Sequence, residues 1–544
     1  MPSRDCSRTM TTPNYMRATN KQKYLNPKRK NMMKTNFLSL IAVAGLLSFT
    51  GCTSEDTANK EITQKEGSSL GGLTSFVEAD NATRTTADYD GSGLNFYWTE
   101  GDHLWVRNGG LTQDAHNTID SELKSHPTKL NAVKRAEKAK FYFPGSYTAA
   151  SYHVRYTGKN GDPEKVTIKA RQEQKIANDA SHIGEDGDFA VATASKEQLS
   201  GKYYFTLDHK ASYITFAHYT TQSALAGAKI SKIRVYTGNA NDALAGTFKL
   251  NDNGTLSNPT ATSNSVELNV PNFSIESSEN YNANGVTMVV NPGTYSNVNI
   301  EYTLTAANGV TGTITKTYPS VTFAVGKNKK VKIDLQAQDY STNGSFYYMW
   351  DAGYHYWYGH LKPNGEPDLP YNYPKDVSDY RWHRVNYSLP SLKAKYSAQN
   401  CPNVNEMLWY AMKGDPHWDN EQLWVSTGQI RKGGMWLKKK NKIAGFDDQQ
   451  YNGKDYRYEY KENDYTSNDI SQGKPSNIND YFYLPALGRY STYQLQNLGV
   501  NGYYWSSTSS PKNEDSAYGL FLFSSSIGVY HYARKFGYPL FTAQ

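Results

Sequence analysis

The chain has 544 residues, 13% of them aromatic and 20% charged, with 58 Lys and Arg against 51 Asp and Glu and only three cysteines. Residues 1–51 hold nine of the bases and one acid, so the 493 residues that follow carry 49 bases and 50 acids, a net charge of −1. That balance excludes the basic footprint of a nucleic-acid-binding protein, the cysteine count excludes a disulfide framework, and the length suits two to four domains.

Residues 1–32 are basic and polar, and they precede a better start at Met32 or Met33. They are read as a non-translated or unstructured extension. Lys34 and the apolar run Phe37–Phe49, closed by Thr50-Gly51-Cys52, have the three parts of a signal peptide over 33–51. The run is too short to span a bilayer, which takes about 20 apolar residues. A cysteine directly after the small residues is the lipidation position of a lipoprotein, so Cys52 is expected to carry the acyl chains and anchor the protein to the outer membrane. The stretch 52–72, rich in Lys, Gln, Gly and Ser, reads as a flexible tether. Its acidic pair Glu55-Asp56 resembles the export signal of surface-exposed lipoproteins in the Bacteroidota.

From Phe76 to Gln338 the dominant period is two. Val266, Leu268 and Val270 alternate with polar residues, as do Val298, Ile300, Tyr302 and Leu304, and Val331, Ile333 and Leu335. This is the pattern of strands with one dry and one wet face. Asn160-Gly161, Asn253-Gly254 and Asn308-Gly309 offer hairpin turns in which both residues tolerate positive φ. Two β-sandwiches in series are expected, over 73–215 and 216–338, with no long helix.

Beyond Asp339 the character changes. Phe346–Trp382 holds 12 aromatics in 37 residues, and eight of the ten tryptophans follow Ser345. A helix is expected after Asn403, which can cap it, with Glu406 at the third position. Val404, Met407, Leu408 and Ala411 would form its apolar face, and Gly414 would end it. Short aromatic strands follow at Tyr503-Tyr504-Trp505 and Tyr518–Phe523. The segment 340–544 therefore reads as a separate α+β domain, and the whole chain as mainly β.

Ala82-Thr83-Arg84-Thr85, followed by Phe96-Tyr97-Trp98-Thr99-Glu100-Gly101-Asp102, resembles the opening of the fimbrillin-like family, pilus subunits and surface lipoproteins of the Bacteroidota. Phe205-Thr206-Leu207-Asp208-His209-Lys210-Ala211, read as a strand of the first sandwich, fits the same family. The resemblance covers 70–338. It implies tandem transthyretin-like sandwiches and polymerisation by donor-strand exchange with other pilin subunits, in which cleavage near an Arg removes the first strand. Leu73-Thr74-Ser75-Phe76-Val77 is then the candidate exchanged strand, and Arg84 the candidate protease cleavage position.

The later region resembles the FISUMP-like (major paralogous) domains, which have a C-type-lectin-like fold. The matching blocks are Cys401–Glu406, Tyr483–Gly488, Gly502–Ser507, Ala517-Tyr518, Phe521–Ser524 and Arg534 with Gly537-Tyr538. Pro539-Leu540 departs from the family's Val-Arg pair, which unsettles the pairing of the last strand. Gly365-Glu366-Pro367-Asp368 and Trp418-Asp419-Asn420 have neither the order nor the placement of a lectin calcium site, so no metal is expected.

Among the aromatics after Ser345, most are expected to fill core. Tyr354, Tyr356, Trp357 and Trp505 are the candidates for stacking on a host or bacterial surface glycan or a protein ligand. His355, His360, His383 and His417 lack zinc-ligand spacing, and Lys438-Lys439-Lys440 reads as a solvated turn. The sequence has no nucleophile elbow, P-loop or dinucleotide fingerprint, and Cys401 reads as a small packed residue before the helix, so neither an enzyme nor a cofactor is expected. The fimbrillin-like resemblance, together with the 340–544 segment that follows the second sandwich and would obstruct strand donation, implies a minor pilus subunit at the fibre tip, presenting an adhesin-like domain. The alternative is a surface lipoprotein that binds, or degrades, glycans without polymerising.

Overall fold

A computed structural model describes residues 72–79, 86–159, 161–340, 347–363, 365–383, 393–459 and 465–544. They form a mainly β protein. Its only helix longer than one turn among the described residues is Val404–Lys413. No helix among them is long and apolar enough to cross a membrane.

The first nine-stranded sheet runs Gly110–Gln113, Trp105–Asn108, Ser151–Tyr156, Ala190–Lys196, Tyr203–Phe205, Leu73–Glu78, Lys140–Pro144 and His116–Asn117, with Asp208–His209 paired beside Ala190–Lys196. Its core is unusually aromatic: Phe76, Trp98, Phe141, Phe143, Tyr156 and Tyr203 are all fully buried. The segment from Phe205 to Ala211 is not one strand. Tyr203–Phe205 ends, Asp208–His209 pairs briefly, and Ser212–Tyr219 begins a different sheet. Leu207 packs in the first core and Ala211 in the second, so this stretch is the crossover between them.

The second core gathers three sheets. One contains Ser265–Ser274, Lys229–Thr237, Gly293–Thr305 and Thr311–Phe323 in order. A second has Ser212–Tyr219 between Val286–Val290 and Asn328–Asp334, and a third joins Leu256–Ser263, Ala245–Leu250 and Lys165–Ile168. The period-two residues lie where alternation puts them: Val266, Leu268, Val298, Tyr302 and Leu304 are fully buried. Lys165–Ile168 and Arg171–Glu173 come early in the chain yet pair with strands of this second set. The loops at Asn253-Gly254 and Asn308-Gly309 do close hairpins, but only the glycines take positive φ, +81° and +83°. The asparagines stay in ordinary backbone space, so these are five-residue loops and not two-residue turns.

In the last region the helix Val404–Lys413 has the expected cap. The Asn403 side chain accepts from the Asn405 and Glu406 N–H groups, and Glu406 accepts from the Asn403 N–H at 2.8 Å. Asn403→Ala should therefore cost about 1 kcal/mol of local stability, read as faster amide exchange confined to this helix. Gly414 ends the helix at an ordinary φ of −79°, its N–H donating to the Tyr410 carbonyl. Glycine is needed there for space, since a Cβ would sit 2.2 Å from that same carbonyl oxygen. The left-handed residue is the next one, Asp415, at φ +48°. Tyr347–Tyr348 pairs with Tyr538–Pro539, and Phe346, which would face Leu540, lies outside the described residues.

The hairpin His417–Ser426 and Gln429–Lys438 extends the second core's sheet. Gln422 stands in parallel register with Thr313, and Leu423, Val425 and Ile430 belong to that core. A bulge between Asp419 and Leu423 makes the approach possible. The Asp419 carboxylate accepts from the Glu421 and Gln422 N–H groups at 2.7 and 3.0 Å and from Trp436 Nε1 at 2.8 Å. The Trp418-Asp419-Asn420 segment thus anchors a bulge. Gly312 meets it so closely that a Cβ would lie 2.3 Å from the Glu421 carbonyl oxygen. Lys474 reaches across to Glu301 at 2.7 Å, both side chains 12% exposed, and to Thr315 at 2.8 Å. Gln338–Asp339, just after the last strand of the second core, pairs with Trp424–Val425.

Candidate functional site

The candidate exchanged strand is an interior strand. Leu73–Glu78 runs antiparallel to Lys140–Pro144, with Leu73 opposite Pro144 and Val77 opposite Lys140, and parallel to Tyr203–Phe205, with Phe76 opposite Tyr203. Removing it would split the sheet into a six-strand piece, Asp208–His209 included, and a two-strand piece. Alternation sets its faces: Phe76 and Glu78 are buried, whereas Leu73, Ser75 and Val77 are half-buried on the other side.

Phe76 is the strand's main apolar group. Its ring stacks on Tyr203 at 4.8 Å and meets Phe143, Tyr147 and Tyr152 edge-on at 5.0, 5.3 and 6.4 Å. Such aromatic pairs add to simple burial. At the end of the strand Glu78, 8% exposed, accepts a hydrogen bond from Trp98 Nε1 at 2.6 Å. Trp98 is held in turn by the loop after it. Asp102, fully buried, accepts from the Thr99 N–H at 2.7 Å and the Tyr156 hydroxyl at 2.8 Å, and Gly101 takes φ +85°. The aromatic-x-Trp-x-x-Gly-Asp segment is therefore a buried polar clamp on the C-terminal end of the leading strand. The sequence offered the motif but gave no sign that Glu78, twenty residues earlier, is its partner.

Ala79 donates to the Phe205 carbonyl at 2.8 Å, and the next described residue, Thr86, opens the small sheet Thr86–Tyr89 with Leu94–Tyr97. Arg84 lies between them, outside the described residues, as do Cys52, the leader 33–51, the extension 1–32 and nearly all of the tether.

Of the four candidate stacking residues, three are core and cannot meet a ligand face. Tyr356, Trp357 and Trp505 are 1%, 0% and 0% exposed. Tyr356 stacks on Tyr490, and its hydroxyl donates to the Thr492 carbonyl. Trp505 stacks on Tyr538 at 4.1 Å and donates from Nε1 to the Tyr348 carbonyl. Tyr354 alone is exposed, at 43%, where it meets Tyr358 and Tyr380 at 4.4 and 5.3 Å. Tyr380 had no sequence signal of its own. It is placed by Arg381, whose guanidinium is buried against Asp379 at 2.6 Å.

Cys401 is 8% exposed and packs with Trp350, Trp505 and Tyr538, and burial pushes its thiol up to about 12, far from thiolate formation at neutral pH. Lys438 is not part of a solvated turn: it closes a strand and pairs with Asp415 at 3.0 Å. Among the described residues no group of three His, Cys, Asp or Glu is placed to hold a metal ion.

No protein-family model matches the sequence, and no curated protein matches it. Solved structures that overlap it in part include a candidate cell adhesion protein of Bacteroides uniformis, at 13% identity and TM-score 0.26 over 48% of this chain and 92% of that one. A fimbrial protein of Bacteroides vulgatus overlaps at 12% identity and TM-score 0.25, over 44% of this chain and 89% of that one. A fimbrial protein of Bacteroides ovatus overlaps at 10% identity and TM-score 0.21, over 86% and 98%.

Proposed function

We propose that this protein is exported as a lipoprotein lipidated at Cys52 and, once cleavage after Arg84 has released it from the lipid, serves as a minor pilus subunit: it accepts a neighbouring subunit's strand and ends the fibre. The observation that carries the reading is the topology of Leu73–Glu78. It is an interior strand, yet no other described element precedes it, so a single cut between Ala79 and Thr86 would separate it without interrupting any other described strand. Its loss would leave two rows of unpaired backbone groups and an aromatic slot, which an incoming strand could satisfy by β-addition.

The end-of-fibre position is supported by the other side of the molecule. Donation requires a free segment after the last sandwich strand. Here Asn328–Asp334 leads directly into Gln338–Asp339, which is paired to the docked hairpin. A subunit of this kind accepts without donating. The region 340–544, which resembles lectin-like domains, would then face outward and bind a surface glycan or protein.

The test is the N-terminus of protein taken from its native surface. A mature chain starting at Thr85, found at fibre ends by immunogold labelling, is the expected result. A lipidated start at Cys52 with no shorter form would overturn it. That outcome favours the second reading, a non-polymerising glycan-binding lipoprotein, which the closed sheet of the uncut chain and the exposed Tyr354, Tyr358 and Tyr380 rings would suit.

A further inference from the structure

Resting on the strand-exchange reading, we infer that the groove selects its incoming strand by chemistry: a large aromatic at one position and a hydrogen-bond-accepting side chain, Glu or Gln, two residues later. The groove is imprinted by its own strand at two points. The first is the slot closed around Phe76 by Phe143, Tyr147, Tyr152 and Tyr203. The second is Trp98 Nε1, a donor in a fully buried ring, which bonds to Glu78.

An indole N–H can only donate. Once the native strand leaves, it must be met again, because a buried donor without an acceptor costs about 1–3 kcal/mol. Trp98 cannot turn away to find water. Its ring is held edge-on to Phe141 and Tyr156 at 5.1 and 6.2 Å, its backbone N–H donates to the Ala136 carbonyl, and the Asp102 loop follows at once. The two points are two residues apart, on the same face of a strand. Together they fix the register, since a slip of one residue turns both groups to the wrong face.

The occupant is a segment of a different protein. The last strand of the second core in this chain, Asn328–Asp334, carries Val331 and Ile333 on one face and no aromatic. A second copy of the chain would leave the Phe76 slot underfilled and Trp98 facing an apolar side chain.

The test uses the full chain carrying a specific protease site within residues 80–85. The chain is cut, its leading strand is released in mild denaturant, and it is offered labelled peptides of sequence 72–79. The native peptide should be retained, and a Glu78→Gln peptide should hold within about threefold of it. A Glu78→Leu peptide should bind at least about fivefold more weakly, the lower bound for a stranded buried donor. In a Trp98→Phe chain the Glu peptide should lose most of its advantage over the Leu peptide, which a general preference for polar peptides would not produce. If the native and Glu78→Leu peptides bind the unsubstituted chain equally, the selection rule is wrong and strand exchange stands. If the native peptide is not retained at all, strand exchange falls, and the rule with it.

Discussion

Phe76→Ala should destabilise the first sheet by about 3–5 kcal/mol, the range for truncating a buried Phe. The upper part of that range is expected because the site cannot collapse. Its neighbours on both sides are hydrogen-bonded strands, and four aromatic rings line the slot. A chain of several cores need not unfold in one step, so the measurement is local hydrogen exchange. Protection of the amides in Lys140–Pro144 and Tyr203–Phe205 should fall by about a hundredfold or more, with the second core unaffected. Val77→Ala, on the half-buried opposite face, should cost about 1 kcal/mol. Equal effects at the two positions would mean that Phe76 does not anchor the strand.

Lys474→Ala should loosen the joint between the last region and the second core by about 3–5 kcal/mol, because it leaves the Glu301 carboxylate buried without its partner. Replacing both, as Glu301→Leu with Lys474→Met, should restore most of the loss, since no charge is then stranded. The same pair gives the joint an acid limit. Burial opposes ionisation of Glu301, but Lys474, with help from Arg234 and Thr315, outweighs it and holds the carboxyl below its ordinary value of 4.5. A lowered folded pKa contributes stability that is complete above the unfolded value and is lost as pH falls through the folded one. Amide protection across Thr311–Phe323 and His417–Ser426 should therefore drop below about pH 4.5 in the native chain. In the doubly apolar variant it should stay flat. A flat profile in both would mean that the ion pair does not hold the joint.

Local pattern settled much of this molecule. Period-two alternation placed Val266, Leu268, Val298, Tyr302 and Leu304 inside because a strand's faces follow from its own sequence. Asn403, Glu406 and Gly414 bounded the helix Val404–Lys413 because a capping box is a contact between residues three apart. Leu73–Val77, a strand in the structure, was expected through the family resemblance and not from its own pattern.

The functional details needed the third dimension. Aromatic density after Ser345 could not tell Tyr354, which reaches the surface, from Tyr356, Trp357 and Trp505, which do not. A ring's exposure depends on what packs above it, and those neighbours lie far away in sequence. Glu78 with Trp98, and Glu301 with Lys474, are twenty and 173 residues apart and leave no periodic trace. By itself the sequence determined the strands of clean alternation and the helix Val404–Lys413 with its cap. Only the tertiary structure decided that the strand Leu73–Glu78 lies in a sheet's interior, and that Trp98 closes on its last residue. It alone decided that the final region is docked on the second core. Each of those facts is a pairing between distant segments, fixed by complementary surfaces and satisfied buried polar groups.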